Sequence, residues 1–239
     1  MAAADALPSS QITESAYADV SVAVQKWPGF GAFDAAMRAF PQTEVFLVGG
    51  VLRDYFRTRK CTPKDFDFFL GGLGGDNFIE RLAVHGELSK GPFGSPRWRP
   101  AASSARYADL VPIARFNNGI WRCEDIVDAL NQFDFTANAI ALDMRRGRLF
   151  DPQNGVRDAR ASTMRAVRFD YPEEPISPES PLTRHGVLWI RLLHYAGALG
   201  LSIEPFTEKW LVDHAQLRMQ AADFAQAFFT PNLRLRPTP

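Results

Sequence analysis

Residues 44–70 constrain the fold more than any other part of the chain. Residues 44–48 form a short apolar run rich in β-forming side chains, which predicts a buried strand. Gly49 and Gly50 end that strand, and residues 51–57 have the pattern of a helix that begins directly after the glycines. Residues 64–70 alternate charged and aromatic side chains, as a second strand does. This order predicts a sheet with a helix packed against it.

Two acids lie in the second predicted strand. Asp65 and Asp67 are two positions apart, so their side chains point to one face, while Phe66 and Phe68 point to the other face and into a core. Neighbouring carboxylates repel each other unless a cation lies between them. Mg²⁺ or Mn²⁺ prefers such oxygen ligands, and triphosphate oxygens can complete its shell. An isolated Asp-x-Asp also occurs on solvated strand faces, so the pair alone leaves both interpretations open.

The glycine pair is a candidate phosphate-binding turn. Glycine permits close approach of the backbone, and the N-terminus of the following helix favours anions. Arg53 lies one turn into that helix, where it can reach a phosphate or brace Asp54. The sequence lacks the GxxxxGK[ST] pattern of a P-loop. A tight turn without a ligand is the alternative interpretation.

Three blocks of sequence match a family pattern. They are LVGGVLRDYFRTRKCTPKDFDFFL at 47–70, FDFTANAIA at 133–141 and DPQNGVRD at 151–158. They are similar to the LVGGxVRDxLLG and DxD, RRDFTINAMA and DPxGGxxDL patterns of class II CCA-adding enzymes and bacterial poly(A) polymerases. The chain therefore resembles this family, which belongs to the DNA polymerase β-like nucleotidyltransferase superfamily.

The resemblance implies an α+β fold with two domains. A nucleotidyltransferase palm with a mixed sheet would occupy residues 1–170, with an N-terminal helical leader over about 1–42. A proline-rich linker and a small all-α neck domain would occupy residues 171–239.

The resemblance also implies roles for individual residues. Asp65 and Asp67 would be catalytic and would bind metal ions. Asp109, in a strand predicted at 107–113, is the candidate third catalytic and metal-binding carboxylate, although an acid at a strand edge is the alternative. The residues implied to bind the nucleotide are Gly49, Gly50, Arg53, Asp134, Asn138 and Arg191.

Two departures from the family pattern affect the expected specificity. The family's two arginines before the DFT block are Gln132 and Phe133 here, so a cationic contact is missing. The family reads C and A with a motif resembling EDxxRxxR on a helix. One alignment places Arg184, His185 and Leu188 at its Glu, Asp and first Arg, and only Arg191 falls on a matching arginine. A rival alignment through residues 179–182 puts the helix out of register. Either alignment predicts altered base selection.

The expected function is NTP-dependent transfer of a nucleoside monophosphate to a hydroxyl, with release of pyrophosphate. RNA is the expected acceptor, such as a tRNA 3′-end. However, Lys plus Arg and Asp plus Glu each number 27, and the tRNA-holding domains of the family would lie beyond the 239 residues. Transfer to a protein or small molecule, or a silent nucleotide-binding module, are the alternatives.

Two cysteines without metal spacing and no apolar run long enough for a membrane span favour a cytoplasmic protein without a membrane partner.

The remaining pattern predicts further elements. We expect Asp76 to be the N-cap of a helix over 76–85, and residues 86–106 to be irregular or short edge strands. Further helices are predicted at 14–26, 31–40, 123–131, 187–199, 206–217 and 219–229.

Overall fold

The computed structural model describes residues 9–91, 93–102, 106–117, 120–177 and 180–233. The helices are α1 (Ser9–Gln25), α2 (Phe30–Ala39), α3 (Gly50–Thr58), α4 (Gly75–Ala83), α5 (Ile126–Leu130), α6 (Gly155–Arg160), α7 (Arg184–Leu199), α8 (Pro205–Asp213) and α9 (Ala221–Ala227). The strands are β1 (Thr43–Val48), β2 (Phe66–Gly72), β3 (Gly86–Lys90), β4 (Pro96–Pro100), β5 (Ala108–Pro112), β6 (Ala141–Asp143), β7 (Leu149–Phe150), β8 (Thr163–Met164), β9 (Pro175–Ser177), β10 (Ser180–Thr183) and β11 (Ser202–Ile203).

A seven-stranded mixed sheet forms the centre of the fold, in the order β3-β4-β5-β2-β1-β6-β7. Strand β2 lies antiparallel to β1 and parallel to β5. The predicted order of strand, glycine turn, helix and strand is present as β1, α3 and β2. The α+β fold predicted from the sequence is confirmed.

The two faces of β2 have different surroundings. Phe66 and Phe68 are fully buried in the larger hydrophobic core, as predicted, where Phe68 packs against Phe33 with ring centroids 4.3 Å apart. Phe69 points to the opposite face and joins a smaller cluster with Ile126 on α5. Asp67 shares that second face because side chains alternate along a strand.

Two details of the predicted helices were wrong. Gly74, in the left-handed conformation with φ 81°, precedes α4, and Asp76 lies in its first turn rather than capping it. The Asp76 carboxylate instead accepts a 2.6 Å hydrogen bond from Arg115. Helix α5 is shorter than predicted because the Asp125 side chain accepts from the backbone N–H groups of Val127 and Asp128 and so begins the helix at Ile126.

The C-terminal helices pack against the sheet domain through side chains and backbone. Part of the proline-rich segment forms the hairpin of β9 and β10. Strand β11 pairs in parallel with β8, and Ala166 N–H donates to Thr207 Oγ1 at 3.1 Å. Residues 1–8, 178–179 and 234–239, which include parts of the predicted leader and of the rival alignment, lie outside the described residues. The predicted boundary near residue 170 stays a prediction.

Within the described ranges, no helix combines the length and hydrophobicity that a membrane crossing would need.

Candidate active site

The glycine turn and the acidic strand meet in space. Val48, the last residue of β1, pairs with Asp67 on β2. Gly49 follows with φ 74°, a conformation that glycine adopts without a steric penalty. A Cβ atom at Gly49 would lie 3.3 Å from Oδ2 of Asp67. The turn therefore places backbone directly beside a carboxylate.

Arg53 is held close to this turn. A Cβ atom at Gly50 would lie 3.4 Å from Nη2 of Arg53, so the second glycine leaves room for the guanidinium group. Arg53 is 8% exposed, and its Nε donates to Oδ1 of Asp54 at 2.9 Å. Its Nη1 donates to Oδ1 of Asn138 at 2.8 Å. The arginine thus braces Asp54, as one of its two predicted roles required, and links α3 to the 133–141 block.

A hydrogen-bonded chain joins the predicted nucleotide-binding side chains. Asn138 Nδ2 donates to Oδ1 of Asp134 at 3.2 Å. Nε and Nη2 of Arg191 lie 2.8 and 2.7 Å from Oδ2 of Asp134. Burial opposes the charge of Arg191, but the Asp134 carboxylate outweighs it and raises the pKa of the guanidinium. The structure therefore brings together Arg53, Asp134, Asn138 and Arg191, which come from three distant parts of the sequence.

Tyr195 is a member of this cluster that the sequence interpretation missed. Its ring lies 5.7 Å from the guanidinium carbon of Arg53 and 5.1 Å from that of Arg191. Both distances suit attraction between a cation and an aromatic face. The spacing of four residues between Arg191 and Tyr195 on a predicted helix could have indicated this neighbour.

The predicted carboxylates lie on adjoining strands. Asp67 on β2 is directly opposite Asp109 on the parallel strand β5, and Asp65 lies immediately before β2. Burial, followed by the negative charges of Asp65 and Asp109, raises the pKa of Asp67 to about 7. The positive charges of Arg191 and Arg97 oppose this rise. Burial and the two neighbouring carboxylates therefore disfavour the charged form of Asp67.

Asp109 has a cationic partner that the sequence did not indicate. Arg97 on β4 donates from Nε to Oδ1 of Asp109 at 2.7 Å and from Nη2 to Oδ2 at 2.9 Å. Arg97 belongs to the 86–106 segment, which was expected to be irregular or to form edge strands. Across the described part of the chain, no three His, Cys, Asp or Glu side chains converge closely enough to hold a metal ion. The role of Asp109 as a third ligand stays a prediction.

The helix expected to read the base presents different side chains from the family pattern. Leu188 is 3% exposed and belongs to the main core. His185 is hydrogen-bonded through Nε2 to the carbonyl of Phe169 at 2.9 Å. Arg184 lies at the start of α7, with Nη1 3.5 Å from Oδ1 of Asn117. All three aligned positions are thus engaged in packing or hydrogen bonds within the protein.

The two positions where the family has arginine before the DFT block are also structural here. Gln132 is 6% exposed, and its Nε2 donates to Sγ of Cys123 at 3.0 Å. Phe133 packs against Phe69 and Phe116, with ring centroids 5.6 and 5.8 Å apart. Neither side chain supplies the positive charge of the family residue, as the sequence indicated.

Known structures share this fold. One is the Thermotoga maritima CCA-adding enzyme complexed with tRNA, which is 20% identical with a TM-score of 0.62 over 87% of this chain and 49% of its own. Another is a CCA-adding enzyme with CTP, 19% identical with a TM-score of 0.60 over 87% and 50%. A tRNA nucleotidyltransferase with a primer tRNA and an ATP analogue is 24% identical, with a TM-score of 0.55 over 80% and 52%. The resemblance inferred from sequence is confirmed, and at these identities it establishes the shared fold.

A short stretch is also similar to curated proteins. The multifunctional CCA protein of Xanthomonas axonopodis pv. citri (strain 306) is 54% identical over 43 residues, which is 18% of this chain and 10% of that protein. The corresponding protein of Xanthomonas euvesicatoria pv. vesicatoria (strain 85-10) is 51% identical over 43 residues. No known protein-family profile matches the sequence. The chain therefore matches about a tenth of the length of these curated relatives and spans about half that of the solved structures.

Proposed function

We propose that the chain is a nucleotidyltransferase that moves a nucleoside monophosphate from an NTP to a hydroxyl group, with RNA as the favoured acceptor. The position of the glycine turn beside Asp67 carries this proposal, because a backbone turn that could bind phosphate then lies next to a carboxylate on the neighbouring strand. The named neighbours that hold CTP, an ATP analogue or tRNA support the choice of substrates.

Gly49, Gly50 and Arg53 would bind the triphosphate. Helix α3 begins at Gly50, so its first backbone N–H groups are free of helical partners and attract anions. Arg53 adds a positive charge one turn along the same helix. Its hydrogen bonds to Asp54 and Asn138 fix the guanidinium group before the substrate arrives. Positioning of this kind lowers the entropic cost of reaching the transition state.

Asp65 and Asp67 would hold Mg²⁺ or Mn²⁺. Both offer hard oxygen ligands, and burial together with the negative charges of Asp65 and Asp109 raises the pKa of Asp67, which supports a cation beside it. Such a metal supplies charge neutralisation at the phosphates and lowers the pKa of the attacking hydroxyl group. Asp134, Asn138 and Arg191 would orient the ribose and phosphates of the NTP, since they form one hydrogen-bonded unit.

Base selection would differ from that of the CCA-adding enzymes. The two positions Leu188 and His185 are packed or hydrogen-bonded inside the protein, so neither presents the acidic or basic group of the family pattern. Arg184 has a positive charge where the family has Glu, and Arg191, which falls on a matching arginine, is engaged by Asp134. We therefore expect weak or altered discrimination among NTPs.

The test is incubation of the protein with each α-labelled NTP, Mg²⁺ and total RNA. Label in RNA is the expected result. Label in protein or in a small metabolite would support the alternative acceptors, and NTP binding without transfer would support a silent module. Asp65→Ala and Asp67→Ala should abolish transfer, whereas Asp213→Ala, at an exposed ion pair with Lys209, should not. Transfer that survives in the first two variants would refute the site.

A further inference from the structure

Arg97 and Asp109 form a geometrically complete ion pair at the edge of the candidate site. They are directly paired across β4 and β5, and both oxygens of Asp109 accept from the guanidinium group, at 2.7 and 2.9 Å. The two side chains are only 22% and 17% exposed. A bidentate arginine–carboxylate pair is among the stronger and more directional contacts in proteins.

A second contact fixes Arg97 in place. Its guanidinium carbon lies 4.0 Å from the centroid of the Tyr107 ring, which is a close cation–π distance. Burial raises the pKa of the Tyr107 hydroxyl group, and the Asp65 carboxylate raises it further. Arg97 is therefore held by Asp109 on one side and by the Tyr107 ring on the other.

This arrangement separates the three carboxylates into two kinds. Among the hydrogen bonds and ion pairs of the described residues, Asp65 and Asp67 have no cationic partner, whereas Asp109 has Arg97. Asp109 lies opposite Asp67, but its charge is already matched by a fixed guanidinium group. A divalent cation that recruited Asp109 would have to displace that group.

We propose that Arg97 keeps Asp109 out of the ligand set, so that the free protein binds its divalent cation through Asp65 and Asp67 alone. The inference rests on the proposed metal-dependent function and adds a positioning residue to it. The Arg97 guanidinium neutralises Asp109 where a second metal ion would otherwise do so. It therefore lowers the affinity of the protein for metal before the NTP binds.

The proposal predicts how metal affinity changes when the pair is altered. Arg97→Gln frees the Asp109 carboxylate beside Asp67, and Mn²⁺ should then bind more than about threefold more tightly. Arg97→Gln with Asp109→Asn restores the net charge of the wild type and removes the freed oxygens. That double variant should bind Mn²⁺ within about threefold of the wild type.

The experiment is titration of the full chain with Mn²⁺, without NTP, with free Mn²⁺ followed by electron paramagnetic resonance. Arg99→Gln is the matched control, because Arg99 lies on the same strand but pairs with Glu87 at 3.8 Å. An Arg97→Gln affinity that equals that of the Arg99→Gln control would overturn the proposal. So would a double variant that binds more than about threefold more weakly than the wild type, since Asp109 would then be a ligand despite Arg97.

Two variants distinguish a failure of the inference about Arg97 from a failure to fold or from a failure of the proposed metal site. The double variant retains two amides that can hydrogen-bond to each other, so it tests the proposal even if Arg97→Gln alone does not fold. Asp67→Asn tests the underlying site: if it binds Mn²⁺ as the wild type does, both the metal site and the role of Arg97 are wrong. If Asp67→Asn weakens binding and the Arg97 variants do not behave as expected, only the inference about Arg97 fails.

Discussion

At the scale of single residues, the effect on activity of the close approach of Gly49 to Asp67 can be measured separately from the effect of backbone strain on stability. Gly49 and Gly94 have similar φ angles, 74° and 80°. A Cβ atom at Gly49 would lie 3.3 Å from the Asp67 carboxylate, whereas one at Gly94 would have no heavy atom within 4 Å. Because L-residues avoid positive φ angles, alanine at either position should cost about 1–3 kcal/mol of stability from backbone strain alone.

The two variants should differ in activity. Gly49→Ala places a methyl group where the phosphates and Asp67 must meet, so we expect at least about a tenfold loss in kcat/KM for NTP, corresponding to roughly 1.4 kcal/mol. Gly94→Ala should retain wild-type kcat/KM. Urea denaturation and steady-state kinetics measure the two effects. Equal kinetic losses in both variants would show that the turn does not approach the substrate.

The ion pair of Arg191 and Asp134 should contribute far more to stability than a solvent-exposed ion pair of similar length. Its side chains are 22% and 11% exposed, and Asp134 also accepts from Asn138. Replacing Arg191 with Leu leaves a largely buried carboxylate without its main cationic partner, which should cost about 3 kcal/mol.

A surface pair provides the control for that variant. Arg38 and Asp34 lie 2.5 Å apart on α2, but the Arg38 side chain is 80% exposed. Because water screens such a pair, Arg38→Leu should cost less than about 1 kcal/mol. Free energies of unfolding from urea curves give the comparison. A loss at Arg38 as large as that at Arg191 would mean that burial does not determine the contribution of these pairs.

At the scale of elements, the sequence predicted those parts of the site that local patterns encode. The alternation of side chains along residues 64–70 predicted that Phe66 and Phe68 lie in the core, and the glycine pair predicted where α3 begins. The cluster of Arg53, Asn138 and Asp134 was implied only through the family resemblance, because no local pattern reports contacts between residues 53 and 138.

Elements that depend on tertiary pairing were harder to predict. Strand β4 carries Arg97, but its residues Pro96–Pro100 contain two prolines and three residues between them without clear alternation. Its place beside β5 is set by the sheet, so neither the strand nor the Arg97–Asp109 pair could be derived from the segment itself. The predicted N-terminus of α4 was also wrong. Gly74, in the left-handed conformation, precedes the helix, so the helix begins before Asp76, the residue type that is favoured as a cap.

At the scale of the whole molecule, the predicted palm and neck share one hydrophobic core. Leu192 on α7 is fully buried in the same cluster as Phe66 and Phe68 of the sheet. Hydrogen bonds add to this, since Arg57 Nη1 donates to the Leu199 carbonyl at 2.8 Å and β11 pairs in parallel with β8. We therefore expect residues on both sides of position 170 to unfold together, whether or not a domain boundary lies there.

Urea unfolding followed by tryptophan fluorescence and by far-ultraviolet circular dichroism tests this expectation. Trp27 and Trp98 lie in the sheet-side core and Trp189 lies on α7, so fluorescence reports on both parts. The two probes should give one transition with the same midpoint.

Leu192→Ala creates a cavity in the shared core and should lower the free energy of unfolding by about 2–5 kcal/mol in both probes. Val212→Ala, at a side chain that is 69% exposed, should change it by less than about 0.5 kcal/mol. Two steps, of which Leu192→Ala shifts only one, would show that the neck unfolds independently and that the shared core does not couple it to the sheet.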